Sequence, residues 1–392
     1  MGADDKAALF RIGDVVKQGG VCFVVASPMT ARAFLSGHIA LLSARYAIDL
    51  VVHVGDEAEL GDIPGRARIV PLPIRRKVSP LYDLTALARL FLLFRHERYA
   101  AVSSVTPKAG LLALVAATLA GVPLRIHVFT GQVWAAREGW RRRLLKLADR
   151  FMARLATHVL ADSPSQRDFM VKERVAAAEK IRVLGNGSIC GVDGERFRPD
   201  AGRRTVVRRA QGIPEDAPVF LFIGRLNRDK GVLDLTDAFA ALGDASAWLL
   251  VVGPDEARLR EEMEHRLGPA LARTRFVGYT DRPEEFMAAA DVFCLPSYRE
   301  GFGMVIIEAA AAGIPAIGSR IYGVTDAIEE NVTGLLHRAG NAAELAGLMA
   351  MLTRDTERRQ AMGEAARERA LRLFSREAVT KAWLDFYRQL LG

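Results

Sequence analysis

Cysteine is nearly absent: 392 residues carry only Cys22, Cys190 and Cys294. They are odd in number, far apart and without metal-ligand spacing, which excludes a disulfide-stapled domain and a zinc finger. Reduced thiols in a cytosolic protein are the expectation. Long apolar runs are missing too. The longest, Leu111 to Leu124, is bracketed by Lys108 and Arg125 and falls short of the about 20 residues that span a bilayer. The opening "MGADDKAALFRIGDVVKQGG" has no basic stretch followed by an apolar core, so no secretory signal is expected. Apart from alanine richness there is no low-complexity tract and no internal repeat. No zinc-finger, RRM or helix-turn-helix signature is present, which argues against a nucleic-acid-binding protein. Acid is in deficit: 46 Asp and Glu face 54 Lys and Arg, a net charge of +8. That balance alone admits phosphates, an anionic membrane face or nucleic acid as partners.

What is present reads as an α/β enzyme. The length allows two domains with separate cores. Half of the residues are hydrophobic and 26% are charged, the balance of a soluble globular chain. Short β-rich runs alternate with helical patterns: "VCFVVAS", "LVVHV", "RIVPLP", "AAVSSV", "RIHVF", "HVLAD" and "IRVLG", then "VFLFIG", "WLLVVG", "TRFVG", "VFCLP" and "PAIG". Nearly continuous apolar strands between helices predict buried parallel sheets covered on both faces. The segment from Gly185 to Pro218 carries little strand or helix signal and marks the boundary. We therefore expect two Rossmann-like domains facing a central cleft, with a ligand between the carboxyl ends of their strands. Residues 1–20 form an N-terminal extension, 21–200 the first domain and 201–374 the second. Residues 375–392 form an amphipathic helix, with Trp383, Phe386 and Leu390 on its apolar side, packing back on the first domain.

Two loops of the second half carry chemistry. In "FIGRLNRDKG" a buried strand ends at Gly224, and Arg225 and Lys230 follow in a short loop closed by Gly231. Two cations at a strand's carboxyl end, beside a helix start, suit a diphosphate; the alternative is a pair of solvated loop charges. In "SYREGFGMVIIEAAAAGIP" a loop leads into an apolar helix that begins near Met304 and is closed by Gly313 and Pro315. Gly301 and Gly303 let backbone N–H groups approach an anion there. Glu308 lies little more than one turn into the helix, where a carboxylate is costly without partners. A ribose diol offers it two donors, and Glu300 on the loop could meet sugar hydroxyls beyond the diphosphate. The alternative is that Glu308 pairs with a lysine or arginine and Glu300 is solvated. "GFGMVI" lacks the third glycine of a dinucleotide fingerprint and follows no first strand, which excludes a dehydrogenase.

Glu300-x7-Glu308, the "GRLNRDKG" loop and the terminal "GIP" resemble glycosyltransferase family 4, the retaining nucleotide-sugar transferases of GT-B fold, over nearly the whole chain. "RRKVSPLYDLTALARL", "SSVTPKAGLLALVAA", "VPLRIHVFTGQVWA" and "GNGSICGVDGERF" resemble the branch that builds capsule, exopolysaccharide, O-antigen or glycan on a polyprenyl-diphosphate carrier. The resemblance implies that Arg225 and Lys230 bind the donor diphosphate, and Glu308 the ribose. Glu300 and the backbone from Gly301 through Phe302 and Gly303 to Met304 would hold the donor sugar. His127 would lie near the sugar's reacting face, and Phe276 and Tyr279 would help hold the base. Together His127, Glu300, Arg225 and Lys230 form the implied catalytic set. No cofactor and no metal are implied, the nucleotide-sugar being a substrate, and the two cations would stabilise the leaving diphosphate. Retention without a carboxylate nucleophile points to front-face internal return. A GT-B sugar-nucleotide epimerase is the rival reading, against which the Glu-x7-Glu spacing speaks. The chain departs from the family after its first strand, where "ASPMTARAFLSGH" replaces a glycine-rich loop; Ser27 to Thr30 are expected to line the cleft there.

The segment from Arg137 to Arg154 holds seven cations against Glu138 and Asp149, a local charge of +5. Trp134 and Trp140 flank its start, and Leu144, Leu147, Phe151 and Leu155 fall near one helical face. Such a helix can lie on an anionic bilayer, with Arg141, Arg142 and Arg143 at the contact; the alternative is an ordinary solvated basic face. Arg75, Arg76 and Lys77 would extend this surface or bind the acceptor's diphosphate. The expected partners are a nucleotide-sugar donor, a lipid-linked saccharide acceptor and an anionic membrane surface, without nucleic acid. The expected location is cytoplasmic, peripheral on the inner face of the plasma membrane.

Overall fold

The computed structural model describes residues 19–53, 66–74 and 79–392. Arg75, Arg76 and Lys77 lie outside the described residues. The chain builds two all-parallel sheets. The first holds β1 (Val21–Val25), β2 (Ile48–Val52), β3 (Ala67–Pro71), β4 (Ala101–Ser104), β5 (Leu124–Phe129), β6 (His158–Ala161) and β7 (Ile181–Arg182) in the order β3-β2-β1-β4-β5-β6-β7. The second holds β8 (Val219–Ile223), β9 (Trp248–Val252), β10 (Thr274–Gly278), β11 (Val292–Leu295), β12 (Ala316–Ser319) and β13 (Gly334–His337) in the order β10-β9-β8-β11-β12-β13. β1 and β4 are buried at every residue, because helices cover both faces of a parallel sheet. Both orders reverse beside the first strand of the sheet, where a crevice opens at the carboxyl edges.

Two elements differ from expectation. β13, which starts on glycine, is not among the expected strands. That glycine is required: a Cβ on Gly334 would stand 2.2 Å from the Ala316 carbonyl oxygen of β12. The boundary segment is not free of structure but holds the helix Ala201–Gln211. Its polar composition hides the reason. Arg208 is fully buried and donates to the carbonyls of Ala289, Pro214, Glu215 and Ala217 and to Asp291 at 2.7 Å, so charge rather than apolar area anchors the helix.

The chain passes from the first layer to the second near Val192 and returns near Ser375, and these two residues form a single parallel bridge. The final helix, Arg376–Leu391, inserts Val379, Trp383, Phe386 and Tyr387 into the core that holds Val21, Phe23 and Leu50 of the first sheet. Burying four such side chains contributes on the order of 1.5–3 kcal/mol each, which ties the end of the chain to its beginning.

Candidate active site

The two carboxyl edges face each other across a cleft of about 410 Å³. Arg225, Asn227, Asp229 and Lys230 line it from the loop after β8, and residues 299–305 with Glu308 line it from the loop after β11 and the helix Met304–Ala311. The first domain contributes Phe34, Thr130, Asp162 and Ile189. The two loops of the second domain touch closely: Gly231 has φ +66°, and a Cβ there would stand 2.0 Å from the Pro296 carbonyl oxygen. Only glycine permits that approach.

The expected cations and acids come together. Lys230 Nζ pairs with Glu300 Oε1 at 2.5 Å, and Ser297 Oγ donates to the same oxygen at 2.7 Å. Arg225 pairs with Glu256 at 2.9 Å and keeps a third of its side chain exposed toward the cleft mouth. Glu300 is thus neutralised by lysine rather than solvated. Glu308 behaves in the opposite way. It is half-buried in the cleft wall, and among the described residues no hydrogen bond or ion pair reaches its carboxylate. Desolvation raises it to about 7, against the pull of Arg196 and with a lesser push from Glu284.

Gly303 takes φ +73° and caps the apolar helix, leaving its first N–H groups turned to the cleft. Phe302 is buried, edge-on to Phe374 with centroids 5.0 Å apart. Ser163 Oγ donates to the Gly301 carbonyl at 3.4 Å, and Gln132 N–H donates to the Tyr322 hydroxyl at 3.2 Å. Ser165 donates from N–H and hydroxyl to Asp326 and receives the Gly323 N–H at 2.8 Å. These bonds hold the two domains' loops at a fixed spacing.

Several expected residues sit elsewhere. His127 is 1% exposed within β5, bonded through Nδ1 to Ser104 Oγ at 2.8 Å and edge-on to Phe129. Desolvation lowers it to about 3, against a hydrogen bond to Ser104. It is a neutral core histidine beneath the cleft wall, which Thr130 reaches instead. Phe276 packs on the second core under Arg260 and Tyr279 is 70% exposed; neither lines the cleft. Ser27 and Thr30 bond to each other at 2.9 Å and cap a short turn, leaving Phe34 as that segment's contribution. Sequence reasoning missed Asp162, although an acid after the strand "HVLA" and before a Ser-Pro helix start is a legible signal. Asn227, Arg299 and Tyr322 carried none beyond their place in a loop. Among the described residues no group of three or more His, Cys, Asp or Glu side chains could hold a metal ion.

The basic helix, Gly139–Leu155, has a split character. Trp140, Leu144, Leu147 and Phe151 are 69%, 58%, 56% and 47% exposed, an outward stripe at helical spacing. Arg141 and Arg143 are exposed around its start and Arg154 near its end. Trp134 is not part of that stripe: it is 1% exposed, donates from Nε1 to Asp149 at 2.7 Å and stacks on Phe169. Arg142 is tied inward to Glu173 at 3.0 Å and lies over Trp134. Among the described residues no helix is long and apolar enough to cross a membrane.

The model of the glycosyl transferases group 1 matches residues 203–369, and that of the glycosyl transferase 4-like domain matches residues 31–187. The chain is 28% identical to the capsular polysaccharide biosynthesis glycosyltransferase CapM of Staphylococcus aureus, over 82% of this chain and 84% of that protein. It is 29% identical to the UDP-Gal:alpha-D-GlcNAc-diphosphoundecaprenol alpha-1,3-galactosyltransferase of Escherichia coli, over 69% and 70%. It is 32% identical to a D-inositol 3-phosphate glycosyltransferase of Saccharomonospora viridis, over 67% and 68%. In fold it is similar to sucrose-phosphate synthase of Thermosynechococcus elongatus, with a TM-score of 0.80, 22% identity and coverage of 95% and 99%. It is also similar to Anabaena Alr3699/HepE, solved with UDP and glucose, with a TM-score of 0.78, 20% identity and coverage of 95% and 100%.

Proposed function

The chain belongs to the group 1 glycosyl transferases, and from that premise we propose its reaction. It moves a sugar, with retention and without a metal ion, from a UDP-linked donor to a saccharide on a polyprenyl diphosphate. The work is done at the inner face of the plasma membrane, in the assembly of a surface polysaccharide or glycan. The relatives named for capsule synthesis and for transfer onto a diphosphoundecaprenol carrier support this reading of the substrates.

One observation carries it: a lysine–glutamate pair, a helix N-terminus and an unpartnered glutamate share one cleft. The diphosphate sits at the start of the helix Met304–Ala311 with Lys230 and Arg225, where positive charge is concentrated. Glu308 accepts from the ribose diol, which supplies the partners its carboxylate lacks. As Lys230 turns to the phosphate, Glu300 is released to the donor sugar's hydroxyls. The anomeric carbon–oxygen bond to the diphosphate then breaks while the acceptor oxygen bonds the same carbon on the same face. The departing phosphate oxygen takes the acceptor's proton, so no protein base is required. Lys230, Arg225 and the backbone N–H groups stabilise the charge that develops on that oxygen. His127 has no part, being enclosed and neutral.

The exposed stripe of the helix Gly139–Leu155 supports a membrane contact. Its apolar side chains would enter the interface while Arg141, Arg143 and Arg154 meet anionic headgroups. The test begins with a thermal-shift screen of UDP- and GDP-sugars, since a ligand at a hundred times its Kd stabilises by about 2.7 kcal/mol. The stabilising donor is then offered with a short polyprenyl-diphosphate saccharide, and the product's anomeric configuration is read by NMR. Retained configuration is expected. Inversion, or no transfer to any lipid-linked saccharide, would overturn the proposal.

A further inference from the structure

We propose that Asp162 is a further substrate-binding residue of this cleft, hydrogen-bonding from the first domain's wall a hydroxyl of the sugar that faces Glu300. The inference rests on the reading of the cleft as a nucleotide-sugar site. Asp162 follows β6 at its carboxyl edge, and the adjacent Ser163 caps the helix Pro164–Lys172. Its backbone is pinned on both sides: the N–H donates to Gln166 Oε1 at 2.7 Å, and the carbonyl accepts from Ser188 N–H at 2.7 Å. The side chain is therefore held in place. It is not, however, satisfied.

Asp162 is 5% exposed and lines the cleft. Oδ1 is wholly enclosed without a hydrogen bond, and no described residue bonds Oδ2 either. Oδ2 is turned toward the loop after β11. A Cβ on Gly301 would stand 3.0 Å from it and 2.5 Å from the Thr130 carbonyl oxygen. Residue 301 is bare, then, where the first domain's carboxyl meets the donor loop. An enclosed carboxyl left unbonded is costly, and such groups in native structures call for a functional account. A hydroxyl entering from the cleft would bond Oδ2, the oxygen that is not wholly enclosed.

The charge around it narrows the ligand. Arg225, Asp229, Lys230, Arg299, Glu300 and Glu308 line the same cleft, and the half-buried Cys190 lies within the field of both Glu308 and Asp162. None of the cations pairs with Asp162, and Lys230 is already held by Glu300. Desolvation accordingly raises Asp162 to about 8. A neutral carboxyl can donate to one sugar oxygen and accept from another, whereas an ionised one would repel the diphosphate. Its place against Gly301, one residue from Glu300, sets it toward the sugar that Glu300 meets rather than toward the phosphates at the helix start.

The experiment compares UDP with UDP-glucose, UDP-galactose and UDP-N-acetylglucosamine on wild type, Asp162→Asn and Asp162→Ala. UDP affinity should agree within about twofold in all three proteins, because Asp162 meets the sugar alone. For the nucleotide-sugar that wild type uses, Asp162→Ala should lose about 10-fold or more in affinity and in kcat/KM. Asp162→Asn, which keeps a donor and an acceptor, should stay within about threefold at neutral pH. It should also abolish the fall in kcat/KM expected of wild type above about pH 8. Unchanged sugar-nucleotide affinity and turnover in Asp162→Ala overturns the inference while UDP binding leaves the cleft's reading standing. Should the alanine variant not fold, an Asp162→Asn profile that still falls above about pH 8 overturns it equally. A wild type that binds neither UDP nor any of the three nucleotide-sugars removes the cleft's reading, and this inference with it.

Discussion

Lys230 and Glu300 should respond to substitution in opposite directions when nucleotide is bound. In the free cleft the lysine is neutralised by the glutamate at 2.5 Å, and both are largely buried. A diphosphate arriving at the helix start competes with Glu300 for that ammonium and is also repelled by it. Two unit charges about 6 Å apart interact by roughly 3 kcal/mol at an effective dielectric of about 20. Solvent and the lysine between them reduce this to about 1 kcal/mol. Glu300→Gln should therefore tighten UDP by about fivefold, and at the same time lower transfer, because a sugar hydroxyl loses its carboxylate. Lys230→Ala removes a charge-assisted bond worth about 1.5–3 kcal/mol. It also strands Glu300 beside the phosphate, so UDP should weaken by at least about 10-fold. Titration calorimetry with UDP at fixed ionic strength, alongside initial rates of transfer, separates the two effects. If Glu300→Gln weakened UDP as much as Lys230→Ala does, the competition described here would be wrong.

Transfer should survive EDTA, with Arg225, Lys230 and the helix start meeting the diphosphate's charge; activity lost on chelation and restored by Mg²⁺ or Mn²⁺ would contradict this. Folding stability should fall as pH rises from the ordinary carboxylate range toward about 8, because Asp162 and Glu308, raised to about 8 and about 7, keep protons in the folded state that the unfolded chain has released. Urea denaturation across that range checks the sign, and Asp162→Asn should flatten the slope. Paired Arg141→Glu and Arg143→Glu should cut co-sedimentation with anionic vesicles by about 1 kcal/mol or more per reversed charge, in a salt-dependent way. Arg142→Glu should instead lower the melting temperature, since it places two acids together where Arg142 now pairs with Glu173. Equal vesicle binding by wild type and the paired variant would leave a solvated basic face.

How far the sequence was legible depended on what each element is held by. Strands held by apolar burial announce themselves, and twelve runs read as strands all fall on strands of the two sheets. The helix Ala201–Gln211 is held by the hydrogen bonds of one buried arginine, which leave no apolar period. β13 is buried at all four residues, but it opens on a glycine required by its close approach to β12. In the site, the second domain was legible because one loop carries both partners in a short window, so Glu300, Gly303 and Glu308 cannot be far apart. Lys230 meets Glu300 only because β8 and β11 are neighbours, a pairing across about 70 positions. Of the first domain's share, Asp162 left a local signal as an acid between a strand and a helix start, but nothing local tells that it faces Gly301. Nor does anything local tell that His127 turns into the core toward Ser104 while Thr130, three positions on, turns out.

Trp134 and Trp140 make the point most sharply, for both stand beside the same basic run and invite the same interfacial reading. Their fates differ through partners that no window of sequence contains. Trp134 finds Asp149 on the helix it precedes and Phe169 on another, and Phe169 stacks in turn on Tyr322 of the second domain with centroids 4.5 Å apart. Trp140 has Arg141 beside it and stays outward. The helix Gly139–Leu155 is thus fastened along its inner side while its apolar stripe remains free. The fastening leads through Phe169 and Tyr322 to Gln132 and the loop 320–323, where a Cβ on Gly323 would stand 2.4 Å from the Gly301 carbonyl oxygen. Stacking from Trp134 through Phe169 to Tyr322, then the backbone approach of Gly323 to Gly301, connect the inner side of this helix to the donor loop. A connection of that kind fixes the distance between the exposed apolar stripe and the cleft. On the proposed reading, in which the acceptor is anchored in lipid, that distance sets the height above the headgroups at which the acceptor sugar meets the cleft.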